Sequence, residues 1–189
     1  YSIHRDANFK ADRIRVKKGT FCFDLVAGDN VWKDLVVGLP GWHNVENAVA
    51  AAVICLNLGL SEKQIRKSLA NFKGVKRRFE YIIRKEKLVY IDDYAHHPSE
   101  LEAAIRSART LYPGKKITGV FQPHLYTRTR DFARGFAASL SLLDEVFMLD
   151  IYPARELPIP GVDSQMILDQ IQAPFKKLVT KKQLVKELQ

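Results

Sequence analysis

The sequence predicts an α/β protein in which antiparallel β-hairpins and two helices precede a parallel β-sheet covered by helices. Residues 1–39 alternate short β-like runs with turn signals, which is typical of hairpins. From residue 88 onward the chain repeats the order strand, polar loop and helix three times, which predicts a parallel sheet with right-handed crossovers. The charged segment RKEK separates the two patterns, so we expect one domain over residues 1–83 and a second over residues 84–189.

Local patterns predict each element of the first domain. The runs RIRV, TFCFDLV and WKDLVVGL predict three strands. In VENAVAAAVICL the apolar residues recur at helical spacing, which predicts a helix with Asn44 as its N-cap and Gly59 at its end. Ser61 and Gln64 then form the capping-box pattern of a second, short helix.

The second domain is built from apolar strands that alternate with amphipathic helices. The runs LVYI, ITGVF and EVFMLD are nearly continuous apolar stretches, as expected for buried parallel strands. Helices are expected over residues 99–110, 131–143 and 163–170, and KKLVT is expected to begin a fourth strand.

Polar residues of several chemistries follow the three apolar strands, where open parallel sheets bind their ligands. The first loop contains Asp92, Asp93, Tyr94, His96 and His97, the second contains Gln122, His124, Tyr126, Arg128 and Arg130, and the third contains Tyr152 and Arg155. Cations and rotatable hydrogen-bond donors at one edge of a sheet suit a ligand with several negative charges.

Each of these groups also has a structural interpretation. Asp92 or Asp93 could cap the loop, and one of the two adjacent histidines could bond only to the backbone. Arg128 and Arg130 could form a surface charge pair. A zinc site is only weakly indicated, because histidines at adjacent positions do not have the usual ligand spacing and no cysteine is near.

The first domain has candidate nucleotide-binding residues of its own. The segment GWHNVENAVAA places His43, Asn44 and Asn47 near a helix start, where amides can read the edge of adenine and an imidazole can stack on it. The segment GVKRRF places Arg77 and Arg78 just before the domain boundary, where an arginine can reach a phosphate.

Composition limits the class of protein. The formal charge of +9 suits an anionic partner, which could be nucleic acid, a phosphorylated small molecule or an acidic surface. A nucleic-acid-binding module is disfavoured because the aromatic residues fall mostly at predicted core positions. The sequence contains no membrane-length apolar run, and its two cysteines lack disulfide or metal spacing, so we expect a cytoplasmic protein with no membrane partner.

Four motifs resemble those of the Mur ligase family: LPGWHNVENAVAA, GVKRRFEYI, IDDYAHHPSE and FQPHLYTRTRDF. The resemblance covers nearly the whole chain. It implies the end of a central ATPase domain with its β-hairpins and helices, followed by a Rossmann-like C-terminal domain that binds an amino acid and is expected to be truncated. No phosphate loop of the form GxxGK[ST] occurs. The resemblance therefore implies partner segments upstream, including the ligands of Mg²⁺, and predicts that this chain alone is inactive.

The resemblance also implies a reaction, which is ATP-dependent amide-bond formation through an acyl phosphate. The loop FQPHLYTRT favours the member that adds L-alanine to UDP-N-acetylmuramate in peptidoglycan synthesis. A muropeptide-recycling ligase of the same family shares a similar DDYAHHP loop and is the alternative. A basic nucleic-acid-binding module and a metal-binding α/β domain are the hypotheses from outside the family.

By resemblance, individual residues receive roles. His43, Asn44 and Asn47 would hold adenine, Arg78 or Arg77 would contact the ATP phosphates, and Asp93 would bind the ribose or orient the nucleotide. Tyr94, His96, His124, Tyr126, Arg128 and Arg130 would face the amino acid, the acyl phosphate and the UDP-sugar, with Arg78, His96 and Arg128 as the catalytic set. One departure is Leu125, since many relatives have arginine there.

Overall fold

The computed structural model describes residues 1–3, 6–17 and 19–188, and it confirms the predicted α/β class. The chain divides into two compact units, Tyr1–Tyr94 and Ala95–Gln189. The sequence places a domain boundary between residues 83 and 84 instead, and that division stays a prediction about the domains of the longer protein.

The first unit opens with an antiparallel sheet whose order is β1–β2–β3, as the hairpin pattern predicts. The strands are β1 (Phe9–Lys17), β2 (Thr20–Ala27) and β3 (Asn30–Val36). Phe21, Phe23 and Leu25 of β2 are fully buried, so the central strand supplies the apolar centre of this sheet.

Two helices follow, α1 (Trp42–Asn57) and α2 (Glu62–Asn71). The capping box of Ser61 and Gln64 is confirmed, but the prediction that Asn44 caps α1 is wrong. The N-cap is Gly41, whose φ of 121° is open to glycine but strained for other residues. Asn44 lies in the first turn, and its buried amide donates to the carbonyl of Pro40 at 2.7 Å.

A second hairpin corrects the predicted partner of the LVYI strand. The sequence analysis missed β4 (Glu80–Arg84), which pairs antiparallel with β5 (Val89–Asp92), and Lys85 N–H donates to Leu88 O at 2.8 Å across the turn. In the described chain β5 thus belongs to a sheet with β4 and not to the parallel sheet. The charged segment that suggests a linker is the turn of this hairpin.

The second unit contains the parallel sheet, with the order β6–β7–β8 in its described residues. The strands are β6 (Thr118–Phe121), β7 (Glu145–Met148) and β8 (Phe175–Leu178), so the predicted fourth strand exists. The helices are α3 (Pro98–Leu111), α4 (Tyr126–Leu140), α5 (Gln165–Leu168) and α6 (Lys181–Glu187).

Helix α4 begins five residues before the predicted start at residue 131, because Leu125 turns the chain at a φ of 74° and the helix follows at once. Tyr126, Arg128 and Arg130 consequently lie on the helix instead of in a loop. One face of the sheet packs against α4 through Phe121, Phe136 and further buried residues that include Leu140, Val146, Met148 and Ile167. Within the described residues, no helix is both long and apolar enough to cross a bilayer.

A buried carboxylate organises the first sheet. Asp24 is 2% exposed and lies next to two irregularities in the strand register, between Asp12 and Arg15 and between Phe23 and Leu25. It accepts hydrogen bonds from Arg15 at 2.8 Å and from the backbone amide of Asp34 at 2.9 Å, and Arg13 lies at 2.8 Å. A charge at this depth is tolerated only when it is paired in this way.

Replacement of Asp24 by alanine should lower the free energy of unfolding of the first unit by roughly 2 kcal/mol, because three donors lose a charged acceptor. Urea unfolding monitored by tryptophan fluorescence measures this unit, since both tryptophans, Trp32 and Trp42, lie in it. The exposed Asp6, which pairs with Lys10, provides the control Asp6→Ala, for which no change is expected. Equal midpoints for both variants would contradict the role of Asp24.

Candidate active site

Two loops join beyond the carboxyl ends of β6 and β7. Leu125 N–H donates to Tyr152 O at 3.0 Å, and Tyr152 N–H donates to Pro123 O at 2.8 Å. These bonds form a parallel bridge between His124 and Tyr152, whose rings pack with their centroids 5.2 Å apart. The strands end side by side, so the bridge continues their pairing and places His124 at the sheet edge where ligands bind.

Helix α4 starts immediately after this bridge. Leu125 adopts a φ of 74°, and its carbonyl accepts from the Thr129 backbone amide at 3.1 Å and the Thr129 hydroxyl at 2.7 Å. Arg128 therefore lies in the first turn of the helix, half-buried, close to the strand end. The early helix start, which the sequence analysis missed, fixes the backbone position of this arginine.

A carboxylate from the neighbouring loop meets the start of α4. Glu156 accepts from the backbone amide of Thr127 at 3.0 Å and from its hydroxyl at 2.5 Å. These bonds hold the pKa of Glu156 below its usual range. The sequence analysis assigned no role to either residue, because they are far apart in the chain and no local pattern connects them.

The pKa of His124 is lowered, first by burial and then by the positive charges of Arg128 and His96, with a smaller effect of Arg155. Glu156 acts in the opposite direction. The Nδ1 atom of His124 is buried, and within the described residues no hydrogen bond reaches it. The structure thus brings together His96, His124 and Arg128, which the sequence predicts as a cationic edge, and it favours the uncharged form of His124.

The two histidines of the first loop have different surroundings. His97 is the N-cap of α3: its Nδ1 accepts from Ser99 N–H at 3.3 Å, and its ring packs on Phe132 at 4.8 Å. His96 Nδ1 lies 3.4 Å from the carboxylate of Glu100, which also accepts from the backbone amide of His96. One histidine of the pair is therefore structural, and His96 is the one whose charge reaches His124.

In the first unit, the residues predicted to contact phosphate lie in a strained turn. Arg77 and Phe79 adopt positive φ values of 59° and 52°, and the exposed Arg78 lies between them. The Asp93 carboxylate accepts from Phe79 N–H at 2.8 Å, so it supports this turn. Arg77 packs over the Tyr94 ring, 4.6 Å from its centroid.

The predicted adenine-binding group is not brought to one surface. Asn44 is buried and bonded to Pro40, whereas Asn47 is exposed and His43 is half-buried. On α4, the exposed Arg130 pairs with its neighbour Asp131 at 2.8 Å, and Tyr126 is half-buried. The ligand contacts of all these residues stay predictions.

The fold is a mixed α/β one, and the edge of its parallel sheet carries positive charge. The chain belongs to the Mur ligase family, since the family's model, described as Mur ligase, glutamate ligase domain, matches residues 77–189. The chain is 50% identical over 187 residues to a UDP-N-acetylmuramate–L-alanine ligase from Flavobacterium johnsoniae, covering 99% of this chain and 42% of that protein. A ligase of the same name from Flavobacterium psychrophilum is 52% identical over 180 residues, which are 95% of this chain and 40% of that protein.

A solved structure of a UDP-N-acetylmuramate–alanine ligase from Thermotoga maritima shares the fold with a TM-score of 0.81 and 24% identity, covering 100% of this chain and 41% of that one. The chain thus spans about two fifths of the length of the relatives that it matches. In the described residues, no group of three or more His, Cys, Asp or Glu side chains is arranged to hold a metal ion.

Replacing Arg128 with glutamine should raise the pKa of His124 towards its ordinary value of 6.5, because a positive charge that opposes protonation is removed. Titration of the histidine ring signals by NMR measures this shift. The control is Arg130→Gln, since the charge of Arg130 is paired with Asp131. An unchanged His124 pKa in the Arg128 variant would show that the two groups do not interact.

Replacing His97 with alanine should open the first turn of α3, because the Ser99 amide loses its acceptor. The expected loss is about 1 kcal/mol, which corresponds to a roughly five-fold faster amide hydrogen exchange at Ser99. His97→Asn should restore protection, since asparagine is a good N-cap. Equal exchange rates in the wild type and the alanine variant would refute the capping role.

Proposed function

We propose that the longer protein to which this chain belongs is an ATP-dependent ligase that joins L-alanine to the carboxylate of UDP-N-acetylmuramate in peptidoglycan synthesis. The observation that carries the proposal is the 50% identity to a ligase of that name over 99% of the chain. The positive charges of Arg128 and His96 beside the uncharged His124 support it, because the reaction develops negative charge.

The chemistry has two steps. The γ-phosphoryl group of ATP passes to the substrate carboxylate, which gives an acyl phosphate and ADP. The amino group of alanine then attacks the acyl carbon, a tetrahedral oxyanion forms, the amine loses a proton and phosphate leaves. Both steps place extra charge on oxygen atoms, so fixed cations and hydrogen-bond donors in a partly water-excluded site lower the barrier.

The described residues divide this work. Arg128 is held in the first turn of α4 and meets the anionic centre of the acyl phosphate, with His96 beside it. His124 is largely uncharged at neutral pH because its pKa is lowered, so it acts as a hydrogen-bond partner and not as an additional cation. Tyr94, Tyr126 and Arg130 stay proposed substrate contacts at the edges of this set.

Nucleotide binding is assigned to the first unit. The exposed Arg78 would contact the ATP phosphates, and Asn47 with His43 would contact adenine. Asn44 and Asp93 would act indirectly, since Asn44 holds the start of α1 through Pro40 and Asp93 holds the turn that carries Arg78. Magnesium would accompany ATP and screen the charge of its phosphates. We assign no ligand for it within this chain.

In the full-length protein, Arg128→Ala should lower kcat/KM for alanine ligation by roughly 10²–10³-fold, because a fixed positive group facing the developing charge is lost. Coupled release of ADP and phosphate with UDP-N-acetylmuramate and L-alanine measures the rate. The matched control is Arg134→Ala, an exposed arginine on the same helix, which should leave kcat/KM unchanged.

Two further measurements in that assay test the proposal itself. The isolated chain Tyr1–Gln189 should not ligate alanine, since it contains no phosphate loop. The free cell-wall peptide, whose N-terminal amine is unblocked, offered in place of alanine separates the recycling ligase from the alanine-adding one. Ligation of this peptide but not of alanine by the full-length protein would refute the substrate assignment.

A further inference from the structure

The hydrogen-bond acceptor at the start of α4 comes from a different segment of the chain. The first amides of a helix have no partners within the helix and need an acceptor. The N-cap residue, Leu125, has an apolar side chain and supplies no such acceptor. Glu156, from the loop that follows β7, supplies it instead, with one carboxylate oxygen on the Thr127 amide and the other on the Thr127 hydroxyl. The backbone amide of Tyr126 also lowers the pKa of Glu156, so the carboxylate lies over the end of the helix.

This contact joins two strained loops. Leu125 before α4 and Ala154 after β7 both have positive φ, at 74° and 52°, which costs free energy in residues other than glycine. Such conformations persist only where the surroundings determine them. The backbone pairing of Leu125 with Tyr152 holds one end of the junction, and Glu156 with Thr127 holds the other.

The junction carries the reactive groups of the candidate site. Arg128 follows Thr127 by one residue, and His124 precedes Leu125 by one residue. Both oxygens of Glu156 are engaged by Thr127, so the carboxylate acts through the helix start and not as a direct ligand of substrate. Because the positive end of the helix dipole is already met by Glu156, an anionic substrate is left to the side chains of Arg128, His96 and His124.

We propose that Glu156 is a positioning residue of the ligase reaction. Its hydrogen bonds hold the loop after β7 against the first turn of α4 and so fix the positions of Arg128 and His124. This role rests on the proposed function. A displacement of about 1 Å at a reacting centre lowers rates by about 10²-fold, so loss of the contact between Glu156 and Thr127 should affect the rate beyond its effect on stability.

The test uses the full-length protein and four variants: Glu156→Ala, Glu156→Gln, Thr127→Val and the double variant Glu156→Ala/Thr127→Val. The alanine variant should lower kcat/KM for alanine ligation by about 10²-fold, with the KM for ATP unchanged. The Glu156→Gln variant keeps one acceptor oxygen, so its kcat/KM should fall less than that of Glu156→Ala. The double variant should lose no more than Glu156→Ala, because both changes break the same contact.

A matched control is Glu145→Gln. Glu145 also accepts from a threonine hydroxyl, that of Thr118 at 2.7 Å, and pairs with Lys116, but it lies at the opposite end of β7. This variant should lose some stability without a change in kcat/KM. Thermal unfolding of every variant separates the loss of stability from the loss of rate.

A second readout does not depend on turnover. Histidine NMR of the same full-length variants should show a lower His124 pKa in Glu156→Gln, since a negative charge that favours protonation is removed, and an unchanged one in Glu145→Gln. A changed His124 pKa together with a lower kcat/KM supports the positioning role. Normal kcat/KM in an active Glu156→Ala protein overturns it, even where that protein is less stable. A wild-type protein that does not ligate alanine overturns the proposed function instead, whatever the NMR result.

Discussion

The candidate site depends on the backbone pairing of residues 123–125 with Tyr152, just beyond the ends of β6 and β7. Parallel strands end at the same edge of a sheet, but their loops usually diverge there. Here the two bonds between Leu125, Tyr152 and Pro123 carry the strand pairing past the sheet. As a result His124 packs against Tyr152, α4 begins at once, and the loop after β7 passes close enough for Glu156 to reach Thr127.

The electrostatics of the site follow from this crowding. Arg128, His96 and Arg155 act on a half-buried imidazole, so their mutual repulsion and the loss of water both disfavour a further positive charge on His124. A cluster of cations is costly in a folded protein unless a ligand or a carboxylate balances it. Glu156 balances part of the charge, and the remainder is what makes the edge attractive to an acyl phosphate or a carboxylate. The unbalanced positive charge thus lowers stability, and it lies at the place where the proposed chemistry needs a positive charge. Such arrangements are common in active sites.

Sequence patterns predicted what local periodicity encodes. The hairpins of β1–β3, the capping box of Ser61 and the buried apolar strand β7 are as expected, since alternation and capping chemistry act over a few residues. Strand β6 forms where it is predicted, but it is not buried throughout, since Val120 is 45% exposed. The partner of β5 was not predictable from composition, because an apolar strand fits a hairpin or a parallel sheet equally well. The contact of Glu156 with Thr127 spans 29 residues and exists only because β6 and β7 are neighbours. Asn44 was mispredicted as the N-cap because asparagine favours that position. The helix instead begins after Gly41, so Asn44 lies three positions further along.

At position 125 the backbone sets the geometry of the site, whereas the side chain only determines whether this loop carries a further positive charge. The resemblance to the Mur ligases leads one to expect arginine there, yet the junction uses only the backbone of Leu125: its amide bonds Tyr152, and its carbonyl accepts from Thr129. A change of side chain at this position therefore leaves the placement of Arg128 and His124 intact and alters only the number of cations on this loop. Arg155 lies on the adjacent loop, close enough to lower the pKa of His124. Because the two loops are joined, a cation from either one reaches the same region, so the fold tolerates the loss of an arginine at 125 without losing a positively charged edge.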